Sequence, residues 1–258
     1  MSAEGGSAWT GVRLGLAFLT RLPGPDGIAA DRTFGASVLG WPLAGPLVGA
    51  AAVGGLTLGA WGVSPAFGAV LAVVGPLWLT RGFHLDGLSD CLDGLLCNGD
   101  RARTLAVMHD PHVGALASAG MTLALVSRVV LVLACVDHGT ALGALLFAPT
   151  LARLPLALEV LLARPASDTG LLATLHRHVQ PWHVAIATAG AVLSLVPIAA
   201  LVSGGAALAA VIGCFLVTAV WHVVWIRRIG GLNGDVLGAA VELRELCALC
   251  ALGSPLLT

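Results

Sequence analysis

Three aspartates set the chemical question. In the run Arg81-Gly-Phe-His84-Leu-Asp86-Gly-Leu-Ser-Asp90-Cys-Leu-Asp93-Gly94 they fall at i, i+4 and i+7, a spacing that stacks three carboxylates on one face of a helix. Like charges so placed repel. A hard divalent cation removes the penalty, and Mg2+ in particular is held by one or two carboxylates together with substrate phosphate. A solvated acidic face would account for the charge. It would not account for the flanking Gly87 and Gly94, which permit close backbone approach, or for the shortage of basic partners one turn away.

Two further arrays follow. Arg101, Arg103 and Met108-His109-Asp110-Pro111-His112-Val113-Gly114 offer arginines able to grip phosphate oxygens bidentately, and Asp110 could complete a metal site. His109 and His112 are either substrate contacts or interfacial histidines with no chemical role. The third array runs from Gly230 to Glu245 and carries Asn233, Asp235, Glu242, Arg244 and Glu245. Charged groups at the mouth of an apolar segment make a functional site the default reading, and a glycine-rich approach to a helix N-terminus suits anions. Together the arrays point to Mg2+-assisted phosphoryl transfer, in which positioning and charge neutralisation do most of the catalysis. The residues by themselves do not separate a lipid headgroup from any other phosphorylated substrate.

The elements that must carry these arrays are set by composition. Of 258 residues 57% are hydrophobic and only 10% are charged, with mean hydropathy +0.93; a soluble domain carries about 25% charge. A soluble enzyme is excluded, and the bilayer is part of the solvent. The net charge of −1 sets nucleic acid aside, since a basic face supplies most of that affinity. Runs of about 20 apolar residues predict seven spans, near 34–60, 64–80, 113–136, 140–162, 184–203, 205–226 and 236–257. The expected fold is therefore an all-α polytopic membrane bundle, forming a single domain over 1–258 with its catalytic loops on one face. No cleavable signal peptide is expected at the N-terminus. Cys247 and Cys250, the one CxxC, lie in an apolar stretch and read as small hydrophobes.

All thirteen basic residues are arginine. Arg13, Arg21 and Arg32 precede the first span, while Arg81, Arg101, Arg103, Arg164, Arg177, Arg227 and Arg228 fall in alternate loops, and the intervening short connections carry none. The positive-inside rule makes the arginine-bearing face cytoplasmic. Arg128 and Arg153 sit inside spans, where each is expected either to pair with a carboxylate such as Glu159 or to face an anion site.

The arrays HLDGLSDCLDG and MHDPHVGALA, preceded by FLTRLPGP at Phe18 to Pro25 and followed by GLNGDVLGAAVELRE at Gly231 to Glu245, resemble those of the cobalamin synthases, the adenosylcobinamide-GDP ribazoletransferases. The resemblance covers nearly the whole chain in order. It implies an inner-membrane, Mg2+-requiring enzyme that joins adenosylcobinamide-GDP to α-ribazole or its 5′-phosphate and releases GMP. A ribose hydroxyl would attack the phosphorus bonded to the cobinamide arm. On this likeness His84, Asp86, Asp90, Asp93 and Asp235 form the catalytic set, and Asp86, Asp90, Asp93 and Asp110 are the metal ligands. Arg21, Arg81, Arg101, Arg103, Asp110, Asn233, Glu242 and Glu245 are the substrate contacts, with Gly114, Gly234 and Gly238 among the motif positions. The segment ARPASDTG at 163–170 departs from the family pattern and is assigned no role.

A CDP-alcohol phosphotransferase also uses a membrane aspartate array, and Asp90-x-x-Asp93-Gly94 meets the first part of its pattern, but Cys97 and Asn98 stand where Ala-Arg is wanted. A cation transporter would place such carboxylates at mid-span in broken helices, whereas these gather at one face. Partners are the two substrates and membrane lipid; a homo-oligomer, or association with other nucleotide-loop assembly enzymes, stays open. The first and third arrays are four spans apart in sequence. Asp235, with Glu242 and Glu245 behind it, is expected to approach the aspartate helix and to share its metal or fix the attacking hydroxyl. The plainer expectation pairs Glu242 and Glu245 with Arg244, Arg227 or Arg228.

Overall fold

The computed structural model describes residues 8–25 and 31–257, and among these it is helical without a strand. The chain runs through α1 (Ala8–Leu19), α2 (Asp31–Gly35) and a 3-10 turn (Ala36–Gly40) into the long α3 (Trp41–Gly62). There follow α4 (Pro65–Thr80), α5 (Phe83–Leu96), α6 (Arg101–Met108), α7 (Ala115–Asp137), α8 (Ala141–Arg153) and α9 (Leu156–Leu162). Last come α10 (Leu171–His178), α11 (Pro181–Ala199), α12 (Gly204–Ile229) and α13 (Gly234–Leu252). This is the expected all-α bundle.

Among the described residues five segments are long and apolar enough to cross a bilayer, including α7, α11, α12 and the combined α8–α9, and α4 with α5 passes as a sixth only when the pair is taken together. That pair is bent by 91°, so α5 leaves the axis of α4. The seventh span of the sequence reading is α13. Its charges keep it out of any count by composition, yet 12 of its 19 residues are buried, because it is the central helix and its charged groups face protein instead of lipid.

Close packing around that centre depends on small residues. A Cβ at Gly45 would lie 2.6 Å from the Thr150 Cα, and one at Gly49 would lie 2.7 Å from the Leu145 carbonyl oxygen, so α3 and α8 meet backbone to backbone, as membrane helices do where association relies on contact area. The sites of chemistry collect at one end. There the α4–α5 elbow, α6, the 163–170 segment, α10 and the start of α13 come together, while the connections at the other end are tied by Thr140 donating to the Leu252 carbonyl at 3.0 Å.

Inside the bundle, six formal charges cancel. Arg128 Nη2 lies 2.7 Å from Glu242 and 3.8 Å from Glu245, and Arg153 Nη1 lies 3.1 Å from Glu245. Arg244, fully buried, donates to Glu159 at 3.1 Å and to the Ala240 carbonyl at 2.9 Å. The sequence reading left Arg128 and Arg153 either to pair with a carboxylate such as Glu159 or to face an anion site. It placed Glu242 and Glu245 behind Asp235 as substrate contacts, with pairing to Arg244, Arg227 or Arg228 as the plainer alternative. The structure gives ion pairs, with other partners than those named. The partners are exchanged because Glu242 and Glu245 sit one turn apart on the face of α13 turned to α7 and α8, while Arg244 points the other way, toward α9.

Removing one partner of such a pair leaves an uncompensated buried charge and costs about 3–5 kcal/mol. Arg244→Met is expected to lower stability by that amount, read from the thermal unfolding midpoint in detergent, and Arg244→Met combined with Glu159→Leu is expected to recover most of it. Equal losses in the single and double variants would show that the pairing is not what holds α13.

Candidate active site

The aspartate helix is aimed by its elbow. Arg81 and Gly82 both adopt the left-handed region, with φ of 60° and 67°, a conformation easy for glycine and unusual for arginine. Arg81 is held there by its guanidinium, which donates to the Ala17 carbonyl at 2.8 Å. Beyond the elbow α5 buries His84, Gly87, Leu88, Cys91 and Gly94, leaving Asp86, Asp90 and Asp93 on the open side. Its far end is capped by Arg228 of α12, which donates to the Cys97 carbonyl.

Gly87 is the contact that joins the first and third arrays. A Cβ there would lie 2.8 Å from the Asp235 carbonyl oxygen and 3.0 Å from the Asp235 Cα, so α5 rests directly on the start of α13 and Asp235 comes beside Asp86 and Asp90. The crowding has an electrostatic signature. The Asp90 carboxyl is pushed up to about 7, first by burial and then by the neighbouring Asp235, Asp86 and Asp93 carboxylates. Asp93 is fixed from the second array: its Oδ2 accepts the Gly114 backbone N–H at 2.8 Å, and a Cβ on Gly114 would stand 2.2 Å from Asp93 Oδ1. The glycine opens α7 with a bare amide aimed at a carboxylate, the preferred arrangement at a helix N-terminus.

Between these elements lies an open cavity of about 450 Å3, whose polar lining comes from Asp86, His109, Ser167, Thr169, Asn233 and Asp235. Asn233 caps α13, its Oδ1 accepting from the Val236 N–H at 2.9 Å, and its amide nitrogen donates to Asp235 at 2.9 Å. Ser167, Thr169 and Gly170 belong to the segment to which the motifs gave no role. They reach the cavity because residues 164–166 pair with Leu232, through Ala166 N–H to the Leu232 carbonyl at 2.7 Å and Leu232 N–H to the Arg164 carbonyl at 2.8 Å. No signal in the sequence marks a two-residue pairing of this kind.

Other residues singled out from the sequence are placed elsewhere. Arg101 donates to the Ile229 carbonyl at 2.7 Å and to that of Ala166, clamping the cavity wall with both groups. Arg21 lies over the Trp78 ring and donates to the Trp78 carbonyl, fastening the segment after α1 to the end of α4. Arg103 is exposed at the start of α6. Asp110 is exposed; the His112 backbone N–H donates to it at 2.9 Å and the His112 ring lies 2.7 Å away, and these two bonds, the backbone one first, keep its carboxyl below its ordinary range; His109, not Asp110, lines the cavity. His84 is buried, its Nδ1 lying 3.4 Å from Arg153 Nη2, which assigns Nδ1 as an acceptor and the ring as neutral. Glu242 and Glu245 are taken up by Arg128 and Arg153, deeper in the bundle.

The donor set suits a divalent cation of the magnesium kind. Asp86, Asp90, Asp93 and Asp235 have no ion-pair partner among the described residues, and the share of the upward push on Asp90 that comes from its carboxylate neighbours, after that of burial, is repulsion that a cation would relieve. No three such ligands are drawn into a closed metal shell among the described residues, and an ion completed by substrate phosphate and water needs only one or two carboxylates.

Comparison with known proteins agrees with this geometry. A family model for cobalamin-5-phosphate synthase matches residues 11–253. A protein of Mesorhizobium japonicum named adenosylcobinamide-GDP ribazoletransferase is 36% identical over 92% of this chain and 90% of its own length. Proteins of the same name from Alkalilimnicola ehrlichii, at 36% over 95% and 96% of the two chains, and Pseudomonas aeruginosa, at 35% over 92% and 95%, are similarly close. No solved structure matches. Because the match runs from Gly11 to Gly253 and so takes in the elbow, the aspartate helix, the Gly114 contact and the whole of α13, the chain belongs to the cobalamin-5-phosphate synthase family.

Proposed function

We propose that this protein is an Mg2+-dependent transferase that moves the adenosylcobinamide phosphate group from adenosylcobinamide-GDP to α-ribazole or its 5′-phosphate, with release of GMP. The observation that carries the reading is the approach of Asp235 to Asp86 and Asp90 across Gly87, at the edge of a cavity open enough for a pyrophosphate with a large group on either side. One or two of the carboxylates Asp86, Asp90 and Asp235 would hold, with substrate phosphate and water, the cation, which when bound neutralises the charge of the pyrophosphate.

The remaining work falls to the chain. Asn233, locked by the α13 cap, orients Asp235 so that a carboxylate oxygen stays available to fix the ribose hydroxyl. Asp93, fixed by Gly114, holds α5 against α7 and thereby keeps Asp86 and Asp90 in register with α13. Ser167 and Thr169 offer hydroxyls to phosphate oxygens from the opposite wall. His84, neutral and tied to Arg153, links the aspartate helix to the buried charges; on this reading it positions α5 and does not touch substrate. The site lies on the cytoplasmic face of the inner membrane, since the end of the bundle that holds it carries Arg81, Arg101, Arg103, Arg164, Arg177, Arg227 and Arg228, and orientation follows such an excess.

Asp86→Asn, Asp90→Asn and Asp235→Asn are each expected to lower turnover at least about a hundredfold, or roughly 2.7 kcal/mol of transition-state stabilisation. The assay is GMP release and corrinoid product from reconstituted protein over a Mg2+ titration. Near-normal activity in all three would leave the array as a solvated face. Gly87→Ala is expected to cut kcat at least about tenfold, or roughly 1.4 kcal/mol, by forcing α5 from α13, whereas Gly54→Ala, at a position where a Cβ meets nothing within 4 Å, is expected to be silent. For topology, a reporter active only outside the cytoplasm should score when joined beyond α13 and stay silent when inserted between Asn98 and Asp100. The reverse pattern would invert the assigned orientation.

A further inference from the structure

A second crevice, which the transfer reaction does not use, lies between α9 and α12. It measures about 510 Å3, and its walls include Leu158, Leu162, Phe215 and Ile226. Leu162 and Phe215 are each 72% exposed, so the crevice opens among side chains that face the bilayer. Its lining is not uniformly apolar. Glu159 and His222 also line it, with Glu159 Oε1 and His222 Nε2 3.3 Å apart and neither atom in a well-formed hydrogen bond. At its rim, just over one helical turn nearer the active-site end, stands Arg164, exposed and without an ion-pair or hydrogen-bond partner for its guanidinium among the described residues.

These groups define what can occupy it. A hydrocarbon chain by itself would leave the Arg164 guanidinium at the rim without a counter-charge. An occupant that fits has an anionic group level with Arg164 and an apolar body below it. That is the order of groups along a phospholipid, and basic pockets between membrane helices recognise such headgroups. A soluble aromatic phosphate has the same chemistry, but the opening lies among lipid-facing side chains.

We propose that the crevice between α9 and α12 binds one membrane phospholipid, its phosphate on Arg164 and an acyl chain along Leu158 and Phe215. The same 164–166 backbone that pairs with Leu232 separates this crevice from the reaction cavity, so a bound lipid braces the wall that carries Ser167 and Thr169. The proposal does not depend on which reaction the aspartate site performs.

The test is native mass spectrometry of the full chain after exchange into mild detergent and titration with phosphatidylglycerol or phosphatidylcholine. The unmodified protein should retain one phosphatidylglycerol, about tenfold more tightly than phosphatidylcholine. Arg164→Gln should weaken retention at least tenfold, Leu158→Trp should abolish it by filling the crevice, and Leu193→Trp, on the exposed face of α11, should leave it unchanged. If Leu158→Trp does not fold, Arg164→Gln decides, since it alters only an exposed side chain. Unchanged retention in Arg164→Gln overturns the proposal. So does displacement of the lipid by a benzimidazole nucleoside 5′-phosphate, which would give the crevice to a soluble ligand.

Discussion

Three arginines and three glutamates buried in one helical bundle are the constraint on which this structure turns. A lone charge at the centre of a span costs about 2.5–3.5 kcal/mol on insertion scales, and here Arg128, Arg153, Arg244, Glu159, Glu242 and Glu245 are all within the helical bundle. They are tolerable together because each finds an opposite charge on a different helix: α7 and α8 supply Arg128 and Arg153 to α13, and α9 supplies Glu159. The pairing therefore does more than cancel charge. It specifies which helices flank α13 and at what rotation, since a turn of α13 about its axis would detach Glu242 and Glu245 from one side and Arg244 from the other.

Rotation of α13 is what the active site needs fixed. Asp235 lies at the start of that helix, about two turns from Glu242, so the orientation set by the ion pairs is transmitted along a rigid element to the carboxylate that meets α5. Arg153 closes the circuit by contacting both Glu245 and His84, the latter two residues before Asp86. The buried charges and the aspartate cluster are thus mechanically one assembly. The chemistry sits at the bundle's edge, and its alignment is stored in the interior.

Much of this was legible in the residues. The i, i+4, i+7 spacing placed three carboxylates on one helical face, and the arginine distribution put the arrays at one end of a bundle whose helical class followed from composition. The approach of Asp235 to the aspartate helix follows from charge and topology, and the two meet across Gly87. What could not be read was partner choice. Glu242 and Glu245 were candidates for the cavity because nothing in a linear sequence says which side of a charged helix faces lipid, protein or substrate. Arg21, Arg81 and Arg101 looked like phosphate ligands for the same reason: a guanidinium that caps backbone carbonyls and one that waits for an anion have the same one-letter code.

The hardest part to foresee was the 163–170 segment, and the reason is physical. Helices announce themselves by periodicity, whereas a two-residue pairing such as that of Ala166 with Leu232 is satisfied by backbone groups that every residue carries. Side-chain identity matters there only through what the pairing leaves free: Ser167 and Thr169 on the cavity side, Arg164 on the bilayer side. One short extended contact thus separates an aqueous cavity lined by carboxylates from an apolar crevice lined by leucine and phenylalanine. That wall is clamped by Arg101, whose two donated bonds tie Ile229 and Ala166 to α6. Arg101 shares this use of a guanidinium with Arg21, Arg81 and Arg228, which also donate to backbone carbonyls, and in each case the arginine fastens a segment that has no helical periodicity to hold it.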